Sequence, residues 1–201
     1  MDASLVAFIS ERCIAYNIDE SHGLKHSQDT VGWAIQLLDA ETDITEDERR
    51  MTIYCAALHD MCDRKYVDET IAVKIIRSWL TLVEKWTYEM AAVLIDIITT
   101  MSYSKLKKTK VWPNHGKWQR AYNIARHADL LDAFIPMRCY LYQKHITPEI
   151  SDATAWSVVH DLFEVRVFRY VSDGWITLSL AVKLAEGLTK EALVIIKSNN
   201  P

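Results

Sequence analysis

Glycine and proline are scarce in this chain, with five and four residues among 201. Strand-like alternation is equally hard to find, whereas helical periodicity runs almost throughout. Cysteine is sparse too: four residues, at 13, 55, 62 and 139, with no C-x-x-C pair, which argues against a disulfide framework. Cys55 and Cys62 read as small core fillers. No run of eighteen apolar residues occurs, so no transmembrane helix is expected. The first residues, MDASLVAFISERC, lack a basic region and carry an acid at position 2, so they read as a helix rather than a signal peptide. Cytoplasmic residence is the resulting expectation. A basic surplus is missing as well. The formal net charge of −4 argues against stable nucleic-acid binding. The local exception is Lys105, Lys107, Lys108 and Lys110, four lysines within six residues. They read either as a solvated loop or as a lid that meets an anion.

What is present is an ordinary globular balance, half hydrophobic and a quarter charged, in a length suited to one domain over 1–201. The fold class predicted is all-α, a single helical bundle. Helices are expected over 3–16, 24–40, 45–58, 67–81, 84–101, 117–144 and 176–196. Another is expected to open at Thr147-Pro148-Glu149. Thr45-Glu46-Asp47-Glu48 fits a capping box. The stretch 102–116, with Pro113, Asn114 and Gly116, is expected to be the longest loop, and Pro136 is expected to bend the helix that follows it.

Acids stand in unusual places within this pattern. Ile53, Ala56, Ala57 and Asp60 are spaced i, i+3, i+4, i+7, the stripe a helix turns toward its core. Trp118, Ala121, Tyr122, Ala125 and Ala128 mark one face of a second helix, which Asp129 and Asp132 continue. A carboxylate on a core face must be paired, hydrogen-bonded or bound to a metal. His59 stands beside Asp60, and His26 lies on an earlier helix. His26, His59, Asp60 and Asp129 are therefore candidate ligands for one divalent cation. Imidazole with carboxylate suits Mn²⁺, Fe²⁺, Zn²⁺ or Co²⁺ more than Ca²⁺; Mn²⁺ is the first expectation, with Co²⁺, Fe²⁺, Mg²⁺ and Zn²⁺ as alternatives. Four protein ligands on an octahedral ion leave positions open for water and a substrate oxygen, the mark of a catalytic site.

Each residue alone has an ordinary explanation: a satisfied histidine, a chance dipeptide, or an Asp129 paired with Arg126. A second dipeptide, His160-Asp161, makes the point. It is followed by Leu162 and Phe163 in a continuing helical pattern, and the only later aspartate, Asp173, is expected in a turn with Gly174. His160 is read as a core or packing histidine.

The order His, His-Asp, Asp resembles the HD-domain superfamily of metal-dependent phosphohydrolases, and most of all its small bacterial-type nucleotide pyrophosphohydrolases. Four strings carry the resemblance. They are Ser21-His22-Gly23-Leu24-Lys25-His26; Ala56-Ala57-Leu58-His59-Asp60-Met61-Cys62-Asp63-Arg64-Lys65-Tyr66; Met101-Ser102-Tyr103-Ser104-Lys105; and Ala128-Asp129-Leu130-Leu131-Asp132-Ala133. It spans about 19 to 190, with a motif-bearing core about 19–135 and C-terminal helices about 147–196. Two departures stand out. His127 occupies a position where the subgroup usually has aspartate. Phe134-Ile135-Pro136-Met137-Arg138 lacks the subgroup's glycine.

The resemblance implies a metal-dependent hydrolase that cleaves a phosphate ester or anhydride of a small anionic, nucleotide-like substrate. A nucleoside triphosphate releasing pyrophosphate is the first form. A monophosphate phosphatase and a weakly catalytic nucleotide-binding module are the alternatives. Asp63 and Lys65 are the catalytic candidates, for proton transfer and for charge on the phosphoryl oxygens. His22, Ser102, Lys105 and Asp132 are the substrate-binding candidates, with Asp132 also readable as a salt-bridge partner behind the ligands. Oligomeric state, including a homodimer, is left open.

Overall fold

The computed structural model describes residues 1–199; the last two positions of the 1–201 domain reading lie outside the described residues. The chain is all-α, as expected, and among the described residues it has no strand. The helices are α1 (Ala3–Tyr16), α2 (Leu24–Asp39), α3 (Glu46–Leu58), α4 (Glu69–Leu82), α5 (Tyr88–Thr100), α6 (Tyr103–Thr109), α7 (Gln119–Asp132), α8 (Pro136–Ile146), α9 (Asp152–Val165) and α10 (Ser179–Asn199). None is long and apolar enough to cross a membrane.

Local chemistry sets most helix starts. Asp2, Asp68, Thr87 and Ser151 each cap the helix that follows with a side-chain oxygen. The capping box at α3 forms as expected: Thr45 accepts from the Glu48 amide, and Glu48 reaches back to the Thr45 amide.

Four boundaries differ from the sequence reading. The segment 84–101 becomes helical only at Tyr88, because Thr87 supplies the cap and Lys85 takes a left-handed φ of 57°. The expected loop 102–116 contains α6, a seven-residue helix that buries only Tyr103 and Leu106. With two apolar anchors and many lysines, its periodicity is too short to register. The expected helix over 117–144 is two helices. Pro136 lacks an amide hydrogen and suits a first turn, so it opens α8 instead of bending α7. Likewise Pro148 lies in a turn, and α9 starts later, behind Ser151.

The centre of the bundle is the mutual packing of α2, α3 and α7. Ala34, Ala56, Ala57, Ala121, Ala125 and Ala128 are all essentially inaccessible. Residues this small at helix contacts let axes approach closely. Leu38, Met51, Leu58, Leu94 and Tyr122 fill the space around them. Close approach is what allows short aspartate side chains on α7 to meet histidines on α2 and at the end of α3. Cys55 and Cys62 are buried and free, as expected. His160 is not a packing residue: its side chain is 45% exposed, and its ring nitrogen meets only its neighbour Asp161.

Candidate metal centre

His26 projects from the first turn of α2, His59 caps the C-terminus of α3, Asp60 follows in the next turn, and Asp129 sits on the last turn of α7. Their donor atoms converge. His26 Nε2 lies 3.0 Å from His59 Nε2, 3.3 Å from Asp60 Oδ2 and 3.7 Å from Asp129 Oδ1. His59 Nε2 lies 3.4 Å from Asp60 Oδ2 and 3.3 Å from Asp129 Oδ1. His26, His59 and Asp60 form the tightest group able to hold an ion, with Asp129 beside the two imidazoles. For bonds of about 2.1 Å, neighbouring ligand atoms on one ion lie roughly 3.0 Å apart in an octahedron and about 3.4 Å in a tetrahedron. The observed spacings fall on that scale.

The outward faces of both rings fix their protons. His26 Nδ1 lies 2.7 Å from Asp132 Oδ2, and His59 Nδ1 lies 2.9 Å from the Ala56 carbonyl. Each Nδ1 faces an acceptor, so it carries the hydrogen, and each Nε2 turns its lone pair inward. Two inward lone pairs 3.0 Å apart need a positive charge between them. An extra proton can supply it, and so can a metal ion. Two carboxylates close the remaining sides, which favours the divalent charge. The donor set therefore fits a metal.

Electrostatics make the centre attractive to positive charge, whether a proton or a metal ion. Burial works against a charged His59, but Asp60 and Asp129 outweigh it and push its pKa up to about 9. Burial likewise opposes ionisation of Asp60 and Asp129, yet the neighbouring histidines hold both well below the ordinary carboxylate range. The site keeps its acids ionised.

Asp132 corrects an expectation. Its side chain is wholly buried, so it cannot meet substrate. It accepts from His26 Nδ1, from Trp33 Nε1 at 3.2 Å and from Arg138 Nη1 at 2.9 Å. Arg138 also donates to the Ser21 carbonyl through Nε and Nη2, at 2.9 and 2.7 Å. A chain of polar contacts thus runs from Arg138 through Asp132 to His26 and ties the loop before α2 to the centre.

The remaining candidates lie around this core. His22 is the closest: its ring centroid is 6.2 Å from that of His26. Its Nδ1 is 2.7 Å from Ser21 Oγ and 3.0 Å from the Tyr66 hydroxyl. Asp19 accepts from the Tyr66 hydroxyl and from Ser21, and these bonds with that of His22 outweigh burial and hold it well below the usual carboxylate range. Beyond His22 opens a cleft of about 230 Å³ walled by Tyr16, Tyr66, Tyr142, Lys65 and His145. Lys65 Nζ lies 3.2 Å from Asp63 Oδ2 and 5.0 and 5.4 Å from the Tyr66 and Tyr142 ring centroids. The side chains of Asp63 and Lys65 are therefore paired with each other at the edge of this cleft, and among the described residues neither side chain is hydrogen-bonded to His26, His59, Asp60 or Asp129, although the Asp63 amide donates to the Asp60 carbonyl at 3.2 Å. Ser102 is exposed at the start of α6. Lys105 is exposed and donates to the Thr99 carbonyl at 2.7 Å. The structure brings neither of these two into the ligand cluster.

The fold is shared with a solved protein. A crystal structure of a Lactobacillus plantarum protein superposes with a TM-score of 0.73, covering 97% of this chain and 92% of that one at 17% identity. Similarity at that identity speaks for the fold alone. No protein-family model matches the sequence, and no curated protein matches it.

Sequence reasoning missed Asp19 and Tyr142, whereas the contacts of Asp132 match its alternative reading as a salt-bridge partner. Asp19 lay one turn before His22, a spacing that was readable. Tyr142 reaches the cleft from α8, more than a hundred residues from His22, and no local pattern could have signalled it. His127, the departure from the resembled pattern, is buried and structural. Its Nδ1 donates to the Asn123 carbonyl at 2.6 Å, and its Nε2 accepts from the Thr177 amide at 2.9 Å. Burial and the nearby Arg126 push its pKa down to about 4.

Proposed function

We propose that this chain is a metal-dependent phosphohydrolase of the HD superfamily that acts on a small nucleotide-like substrate. One observation carries the reading: the Nε2 atoms of two imidazoles and an oxygen from each of two carboxylates, brought by α2, the end of α3 and α7, converge with both Nδ1 atoms already engaged. A divalent ion held by His26, His59, Asp60 and Asp129, Mn²⁺ first among those suited to the donors, would supply Lewis acidity and a lowered pKa for a bound water.

The chain's own residues account for the rest. Asp132 and Arg138 hold His26 in the tautomer and orientation that ligation needs. Asp63 accepts and passes a proton at the edge of the site, and Lys65 beside it offers positive charge to phosphoryl oxygens. His22, fixed by Ser21 and Tyr66, stands between the centre and the tyrosine-walled cleft, where it can donate to a phosphate oxygen.

The test is a hydrolysis screen. Metal-stripped protein receives Mn²⁺, Co²⁺, Mg²⁺ or Zn²⁺ and a panel of nucleoside mono- and triphosphates, with Asp60→Ala as control and phosphate distinguished from pyrophosphate. The expected result is metal-dependent turnover that the variant lacks, with pyrophosphate released from a triphosphate. Nucleotide binding with no product in the presence of bound metal would replace the hydrolase with a binding module.

A further inference from the structure

Arg126 lies on α7 one turn before Asp129 and is only 5% exposed. Its Nη1 donates to the Trp175 carbonyl at 2.9 Å, while its buried Nε has no partner among the described residues. Among the described residues no carboxylate forms an ion pair with it. The acidic groups nearest to it electrostatically are the Tyr122 phenol and Asp129, and Asp129 already belongs to the cluster with His26, His59 and Asp60. A buried cation with an unmet donor is a costly arrangement unless something shares its charge.

The surroundings suggest what shares it. The Trp112 ring covers the guanidinium at 5.0 Å, yet Trp112 is itself 53% exposed, so the cover is open to water on its other side. Trp112 packs on Trp175, and Trp175 packs on Tyr103. Over the same Tyr103 ring lie Arg166, at 4.1 Å, and Lys107, at 5.6 Å. Arg166 Nε donates to the Tyr170 hydroxyl at 2.7 Å, and Arg166 also lacks a carboxylate partner among the described residues. Arg166 and Lys107 thus sit over Tyr103, and Arg126 meets Trp112 at the other end of the same Tyr103–Trp175–Trp112 run of rings, with none of the three in an ion pair among the described residues. A guanidinium fork is matched to the oxygens of a phosphate, which would satisfy the free donor and neutralise the charge together.

We propose that Arg126, Arg166 and Lys107 form a subsite for condensed phosphate beside the metal centre, with Trp112 as its movable cover. The subsite takes the pyrophosphate portion of the substrate. That physiological role rests on the phosphohydrolase reading, but the binding itself does not. The competing explanation is that Arg126 only docks the chain at Trp175 onto α7.

The test uses the full chain without metal, titrated with inorganic pyrophosphate, orthophosphate and sulfate, by calorimetry and tryptophan fluorescence. Pyrophosphate is expected to bind more tightly than sulfate and to change Trp112 emission, a change lost in Trp112→Phe. Arg126→Gln keeps a donor for the Trp175 carbonyl but removes the charge. It should weaken pyrophosphate binding about tenfold or more, with Arg126→Lys recovering part of the loss. Arg166→Gln should weaken binding as well, and it decides the matter if Arg126→Gln fails to fold. The proposal is overturned if wild type holds pyrophosphate no better than sulfate, or if the folded glutamine variants bind it unchanged. Pyrophosphate binding through Arg126 with no hydrolysis of any nucleotide would uphold the subsite and remove the phosphohydrolase reading. Hydrolysis without such binding would do the reverse.

Discussion

The dipeptide His-Asp occurs twice, and the two copies live in opposite surroundings. At 59–60 the side chains are 5% and 14% exposed, at the meeting point of α2, α3 and α7. At 160–161 they are 45% and 76% exposed on the outer face of α9, and the ring nitrogen meets only its own neighbour. The residues are the same, so the chemistry comes from what the helices bring to them. His59 has its Nδ1 held by the Ala56 carbonyl and its Nε2 aimed at His26 and two carboxylates. The position of Asp60 on an apolar stripe is what separates the two copies in sequence. A carboxylate placed on a core face requires a partner, whereas one on a solvated face does not.

Substitutions at the two dipeptides should therefore diverge sharply. Asp60→Ala should remove stoichiometric metal and reduce turnover about a thousandfold or more, since a direct ligand and its charge are lost. Alanine at both His160 and Asp161 should leave metal content and turnover within about twofold of wild type and stability within about 0.5 kcal/mol. Metal analysis with assays on the two variants checks this. Equal losses would break the comparison.

A third histidine sharpens it. His127 is buried as His59 is, but it bonds to backbone instead of facing acids, and its pKa falls to about 4 from an ordinary 6.5. In the folded state it resists a proton that the unfolded chain accepts. Its contribution to stability is present above about pH 6.5 and is lost as pH falls toward 4, by up to about 3 kcal/mol. Denaturant melts across pH 4–7 should show this slope, and His127→Gln should flatten it. An unchanged slope in that variant would assign the acid sensitivity elsewhere.

Next in size is the support behind the ligands. Asp132→Asn keeps the shape but weakens the hold on the His26 Nδ1 hydrogen, and metal affinity should fall about 10- to 100-fold. Competition against a chelating dye measures it. The smallest effect is expected at Lys105→Ala. That side chain is exposed and bonds to backbone, so stability should change by less than about 0.5 kcal/mol.

The convergence of His26, His59, Asp60 and Asp129 was legible because inward acids on apolar helices violate an ordinary pattern. The all-α class was legible because periodicity and capping signals agreed, as at Thr45 and Glu48. Two kinds of information were not. Short or proline-started elements, α6 and α8, carry too few apolar residues or an ambiguous breaker. Asp132 was visible as an inward acid, but whether it meets a ligand or a histidine depends on how α7 is rotated against α2. Arg126 was invisible as a buried charge, since nothing local says that Trp112 and Trp175 fold over it.

The central claim is that these four side chains hold one divalent ion. The most direct measurement is titration of metal-stripped protein with Mn²⁺, read by calorimetry beside Asp60→Ala. The account predicts one ion per chain in wild type and no saturable binding in the variant. Absence of binding in wild type, or an ion retained unchanged by Asp60→Ala, would contradict it.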